Sequence, residues 1–227
     1  MKKTFITAIA LTALAFPSIA SADEDRYYVT VGAGNNSTAD VEGDTTISST
    51  LYDLRSNMDD SFVYQLGVVK HFSDQWRIEA AFAKAKPTMI DITASTGGVG
   101  ATATISPNPE YDVKSYMVNI YRDFPGLGKE LDNGTKFYPY IGAGLGQSNV
   151  KMQTYTTTVA GTDVAITDDG RDLFTWNLKG GLNYKMNDTS DLYAEATYTK
   201  LESFAEDGIN NDAVGAVNII GGLRYKF

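Results

Sequence analysis

Residues 218–227 read NIIGGLRYKF, and the chain ends on that phenylalanine. Ile219, Gly221, Leu223, Tyr225 and Phe227 alternate with Ile220, Gly222, Arg224 and Lys226. Successive side chains of a strand point to opposite faces, so this stretch reads as a strand with one aromatic-tipped apolar face. Soluble domains tend to close on loose polar residues. An apolar terminus held in strand register suggests a strand whose outer face meets something other than water.

Working back from the terminus, the same period of two recurs in eight stretches. RYYVTVGAG puts Tyr27, Val29, Val31 and Ala33 on one face, and SFVYQLGVVKHF does so with Phe62, Tyr64, Leu66, Val68 and Phe72. WRIEAAFAKAK aligns Trp76, Ile78, Ala80 and Phe82, and EYDVKSYMVNIYRDF aligns Tyr116, Val118, Ile120 and Phe124. KFYPYIGAGLGQS gives Pro139, Ile141, Ala143 and Leu145 opposite Tyr140, Gly142, Gly144 and Gly146. In RDLFTWNLKGGLNYKM the apolar face runs from Phe174 through Trp176, Leu178, Leu182 and Tyr184 to Met186. DLYAEATYTK contributes Leu192, Ala194, Ala196 and Tyr198, and the eighth stretch is the terminal one, from Gly215. No helical period competes over a comparable length.

The connections alternate. Four polar segments are long, at about 35–60, 87–109, 149–170 and 202–214. Three are shorter and carry turn signals in Ser73-Asp74-Gln75, Pro125-Gly126, Asn133-Gly134 and Asn187-Asp188. The reading is all-β, an eight-stranded antiparallel up-and-down transmembrane β-barrel, with long loops outside and short turns in the periplasm. A lipocalin-like barrel or a β-sandwich would also alternate. Against them, Tyr27, Phe72, Trp76, Phe124, Tyr184, Tyr225 and Phe227 gather at the short-turn ends of the apolar face, as an interfacial girdle does. The opposite face is small or polar: Thr30, Gly32, Gln65, Arg77, Glu79, Asn119, Asn177, Lys179, Glu195, Thr197 and Arg224.

The N-terminus fits export. Lys2 and Lys3, the apolar run TFITAIALTALAF, Pro17 and the small residues Ala20-Ser21-Ala22 follow the order of a secretory signal peptide, with cleavage expected after Ala22. The apolar run is shorter than the ~20 residues of a spanning helix, which argues against an N-terminal anchor. Residues 23–227 would form the barrel. They contain no cysteine, so neither a lipoprotein anchor nor disulfides are available, and a single histidine cannot build a multi-imidazole metal site. Loss of Lys2 and Lys3 leaves 17 basic and 28 acidic side chains, about −11 net, which disfavours nucleic acid.

The signal peptide, the eight alternating stretches, the segment YPYIGAGLGQS and the ending GLRYKF together resemble the outer-membrane β-barrel superfamily. Within it the chain is most similar to the Opa-like surface antigens and the OmpA/OmpX-type eight-stranded transmembrane barrels. The resemblance covers the mature chain, and only the last strand and YIGAGLG are specific. It implies that the terminal strand, with Leu223, Tyr225 and Phe227 as the signal, is read by the barrel-assembly machinery. It also implies outer-membrane lipid and lipopolysaccharide as surroundings, a monomer, and no cofactor. The chain lacks the C-terminal peptidoglycan-binding domain of full-length OmpA, so wall tethering is not implied.

Few motifs suggest chemistry. GAGLGQ lacks the third glycine and the following helix of a dinucleotide fingerprint. Its alternating glycines instead make room inside a narrow barrel. Arg77, Glu79, Lys179, Glu195 and Arg224 project into the lumen, mostly in its periplasmic half, with Glu195 near the height of Arg224 on the next strand. They form either a polar plug of paired charges or a gated ion path; an interior just wide enough to be filled favours the plug. His71 lies at the periplasmic end, away from the loop serines, so no nucleophile–base pair is expected and the chain is read as a non-enzyme. Asp40, Glu42, Asp44, Asp53, Asp59 and Asp60 in the first loop face only Arg55, and Glu202, Glu206, Asp207 and Asp212 face no base in the fourth. Their spacing matches no calcium loop, so they read as solvated surface. QTYTTTVAGTDVAIT (153–167) reads as a hairpin and TASTGGVGATATIS (93–106) as extended chain, both offering strand edges to a partner. The resulting expectation is surface display for adhesion, host-factor binding or immune evasion, with a host extracellular protein as partner. A structural envelope barrel and a narrow solute channel are the alternatives.

Overall fold

A computed structural model describes residues 27–226 apart from 48, 105–107, 131–134, 154, 160–161, 167–169 and 207–208. The expected signal peptide (residues 1–22) and Phe227 lie outside the described residues. Eight barrel strands follow the periodic stretches: β1 (Tyr27–Thr38), β2 (Ser61–His71), β3 (Trp76–Ala85), β4 (Tyr111–Asp123), β5 (Lys136–Met152), β6 (Arg171–Lys185), β7 (Ser190–Leu201) and β8 (Gly215–Lys226). Each pairs antiparallel with its sequence neighbour, and β8 closes on β1 from Tyr28↔Lys226 to Thr38↔Ala216. The terminal strand is therefore the closing stave of an up-and-down barrel. A short strand, Lys129–Glu130, pairs with the start of β5 within one of the periplasmic connections.

Alternation places the faces as the sequence predicts. Val31, Leu66, Ile120, Ile141, Leu145, Leu178, Ile219 and Tyr225 are exposed, each between 45% and 61%. On the same strands Thr30, Gln65, Asn119, Asn177 and Arg224 are buried. A polar inside and an apolar outside form the inverse of a soluble barrel. The inverse is stable only where the outer solvent is hydrocarbon and the closed ladder leaves no backbone group unpaired. Among the described residues no helix is long and apolar enough to cross a membrane; the crossing is made by strands.

The long segments hold more regular structure than their polar composition predicts. β1 runs on through Asn35–Thr38 because all four still pair with β8, Asn35 and Asn36 with β2 as well, and Asn36 bonds Asn218 on the lumen side of the closure at 2.6 Å. Beyond the barrel, the first, second and fourth loops each form a hairpin: Val41–Ile47 with Thr50–Met58, Met89–Thr96 with Val99–Thr104, and Phe204–Glu206 with Ile209–Asn211. These hairpins join one another as a single six-stranded antiparallel sheet. Asn210↔Asp44 continues the β8·β1 ladder upward, and Leu54↔Ala94 continues the β2·β3 ladder. The barrel wall thus extends beyond the apolar belt. The third loop forms the separate hairpin Tyr155–Val159 with Thr162–Ile166, as its alternation predicts.

Candidate functional site in the lumen and on the extracellular face

Inside the periplasmic half, all five inward charges are buried, and the structure supplies partners that the sequence reading did not name. Arg77 donates from Nε to both oxygens of Asp123 (3.2 and 3.1 Å) and from Nη1 to the Tyr28 hydroxyl at 3.2 Å. Its guanidinium lies 4.0 Å over the Tyr121 ring. Glu79 accepts from Thr30 Oγ1 at 2.9 Å, from Asn119 Nδ2 at 2.9 Å and from the Tyr121 hydroxyl. Lys179 Nζ contacts Glu195 Oε1 at 2.7 Å, while Tyr140 and Thr197 donate to the same carboxylate at 3.0 and 3.1 Å.

One detail of the expected pairing changes. Arg224 sits in register with Asp191, whereas Glu195 faces Ile220. The direct partner of Glu195 is Lys179, across the β6·β7 ladder. Arg224 instead lies between aromatic rings, 4.9 Å over Tyr140 and 4.5 Å over Tyr193. Asp123, Asp191 and the buried tyrosines Tyr28, Tyr121, Tyr140 and Tyr193 were legible only as positions opposite the apolar faces of β1, β4, β5 and β7. A tyrosine fits either face of such a strand, and Asp123 and Asp191 stand at strand ends beside the turns.

Small residues make this packing possible. A Cβ on Gly142 would meet the Tyr121 ring at 2.5 Å, and one on Gly144 would collide with Asn119 Oδ1 and meet Asn177 Oδ1 at 2.7 Å. The network is therefore a filled polar plug. Its charges are held by ion pairs, neutral donors and ring faces together, although Arg77 Nη2, Asp191 Oδ1 and Arg224 Nε have no hydrogen-bond partner in the protein.

Above the plug the lumen changes character. Val63, Ala85, Met117 and Leu173 point inward and are buried, so the outer ends of several strands are apolar on both faces. They surround a cavity of about 380 Å³. The sequence signal was a local loss of alternation, in Phe62-Val63, Tyr116-Met117-Val118 and Leu173-Phe174. Around the outside, Phe62, Tyr64, Phe82, Tyr116, Phe174, Trp176 and Tyr198 form an outer aromatic ring, with Trp176 and Tyr198 in edge contact at 5.7 Å.

The six-stranded sheet is acidic. Asp40 is held by Arg55 at 2.6 Å, which raises the guanidinium's affinity for its proton, and Glu110 does the same to Lys86 at 2.7 Å. Among the described residues no group of acidic and histidine side chains could hold a metal ion. His71 ends β2 on the periplasmic side, in register with Arg77 and 5.4 Å from the Tyr28 ring.

The sequence matches the family described as outer membrane protein beta-barrel domain over residues 6–227. No curated protein matches it. Among solved structures it is similar to Neisserial surface protein A, at 15% identity and a TM-score of 0.51, over 88% of this chain and 97% of that one. It is also similar to OprG from Pseudomonas aeruginosa (13%, TM-score 0.48, 89% and 96%) and to the outer membrane protease OmpT from Escherichia coli (8%, 0.47, 92% and 99%). At such identities the likeness is one of fold. The family match, the closed eight-stranded barrel and its lipid-facing surface together establish that the chain belongs to the outer-membrane β-barrel family and resides in the outer membrane.

Proposed function

We propose that the protein is a non-catalytic recognition barrel. Its extracellular sheet binds a macromolecular partner at the cell surface, for adhesion, host-factor binding or immune evasion. The observation that carries this reading is the union of three loops into one sheet continuous with the barrel wall. Loose loops would lose conformational entropy on binding, and a preformed sheet has already lost it. The outer strand, Val99–Thr104, pairs only with Met89–Thr96 among the described residues, leaving a backbone edge that can accept a further strand. The acidic surface favours a partner with a basic face. The filled lower lumen supports a scaffold rather than a channel, and the position of the single histidine supports a non-enzyme.

The test is binding of intact cells, with and without the protein, to immobilised host matrix and serum proteins. Cells carrying the protein should bind at least one of them. Replacing residues 89–104 by a short turn should abolish that binding, while deleting 153–167, the separate hairpin, should spare it. Equal binding by cells lacking the protein, or loss only on deletion of 153–167, would contradict the reading.

A further inference from the structure

We infer that the extracellular half of the lumen is a binding site for a small, largely apolar molecule with one hydrogen-bond-donating end group. This goes beyond the surface-recognition reading and does not depend on it.

Protein interiors are close-packed, and an empty apolar space forfeits the contacts its lining could make. Here the same barrel packs large buried side chains across its periplasmic half and leaves about 380 Å³ open above them. That size falls within the range of small-molecule sites, about 300–1,000 Å³. The lining is mainly apolar, and its composition is distinctive. Of the six methionines in the chain, Met58, Met89, Met117 and Met152 all line this space. Met1 lies outside the described residues, and Met186 lies at the opposite end, after β6. Methionine is the apolar side chain that best reshapes itself around a guest.

The floor specifies the end group. Asn119 donates its amide nitrogen to Glu79 at 2.9 Å, which fixes the amide orientation and leaves Oδ1 as an acceptor. Neither Asn119 Oδ1 nor Asn177 Oδ1 has a partner in the protein, and both converge on Gly144 at the base of the cavity. Two uncommitted buried acceptors under an apolar chamber suit a guest that brings a hydroxyl or similar donor.

An entrance is built into the wall. β6 begins at Arg171, yet it pairs with β7 only from Thr175↔Leu201 downward. Above that point Phe174 bonds Glu202 through backbone and side chain at 3.0 and 2.9 Å, and the strand Phe204–Glu206 pairs only with Ile209–Asn211 among the described residues. A recess of about 330 Å³ occupies this break, between residues 171–173 and 202–205. It shares Arg171, Leu173 and Phe204 with the chamber lining. The Arg171 guanidinium lies 4.5 Å over the Phe204 ring, so a stacked pair spans the break.

The methionines supply the test. Protein labelled with ¹³C at the methionine methyls, in lipid nanodiscs, is titrated with 1-decanol. The Met58, Met89, Met117 and Met152 signals should shift and saturate while Met186 stays fixed. Decyl methyl ether, which has no donor, should bind about tenfold more weakly. Ala83→Phe, which projects into the chamber, should abolish the saturable shifts; Ala81→Leu, a milder filling, should weaken them should the larger variant fail to fold. Phe204→Ala should speed exchange between free and bound signals. Absent or non-saturating shifts, or shifts shared by Met186, would overturn the site. Equal affinity for the ether would overturn the end group, and unchanged exchange in Phe204→Ala would overturn the entrance.

Discussion

Glu195 shows how the interior is held at the level of single residues. Its carboxylate is buried and receives Lys179, Tyr140 and Thr197. Replacing it by alanine leaves the Lys179 ammonium without its ion-pair partner in the lumen, the case in which a broken pair costs about 3–5 kcal/mol. Glu195→Ala is therefore expected to lower the unfolding free energy in detergent by about that amount, read as a lower denaturant midpoint. Glu195→Gln, which can still accept from Tyr140 and Thr197, should lose less. Equal midpoints for wild type and Glu195→Ala would show that the pair stabilises nothing. The inward position of Glu195 was readable from alternation alone. Its partner was not, because Lys179 lies 16 positions earlier in the chain and is brought to it by the β6·β7 register, with Thr197 facing Lys179 across the ladder.

At the scale of elements, β8 carries two roles in one pattern. Ile219, Leu223 and Tyr225 face outward while Ile220 and Arg224 face the lumen, and the strand pairs along its length with both β7 and β1. Leu223, Tyr225 and Phe227 are proposed as the stretch that the assembly machinery reads. Deleting Phe227, or adding a polar tail after it, should leave less heat-modifiable folded barrel in outer-membrane fractions; normal insertion of both variants would overturn that assignment. The strands were legible because their period of two is strict where one face meets lipid and the other meets the plug. The hairpins above were less so. In the first and fourth loops, acidic residues mask a pattern whose order comes from the ladders beneath: Asn210↔Asp44 and Leu54↔Ala94 extend pairings begun in the barrel. The second loop carried a local signal as well, since Gly97 and Gly98 both take the positive φ of a two-residue hairpin turn.

Taken whole, the molecule is a barrel with unlike ends: closed and polar toward the periplasm, open and partly apolar toward the outside, with a sheet raised above the membrane. The sequence revealed the outer wall, the topology and the polar half of the interior. It did not reveal the chamber or the joined sheet, because both arise from residues far apart in the chain whose patterns are individually weak. The central claim is that the first, second and fourth loops are a folded extension of the wall. Backbone hydrogen exchange of the protein in lipid tests it most directly. Amides paired within 41–47, 50–58 and 89–96 should exchange slowly, approaching the protection of the barrel strands; exchange there at the rate of unpaired loops would contradict the account.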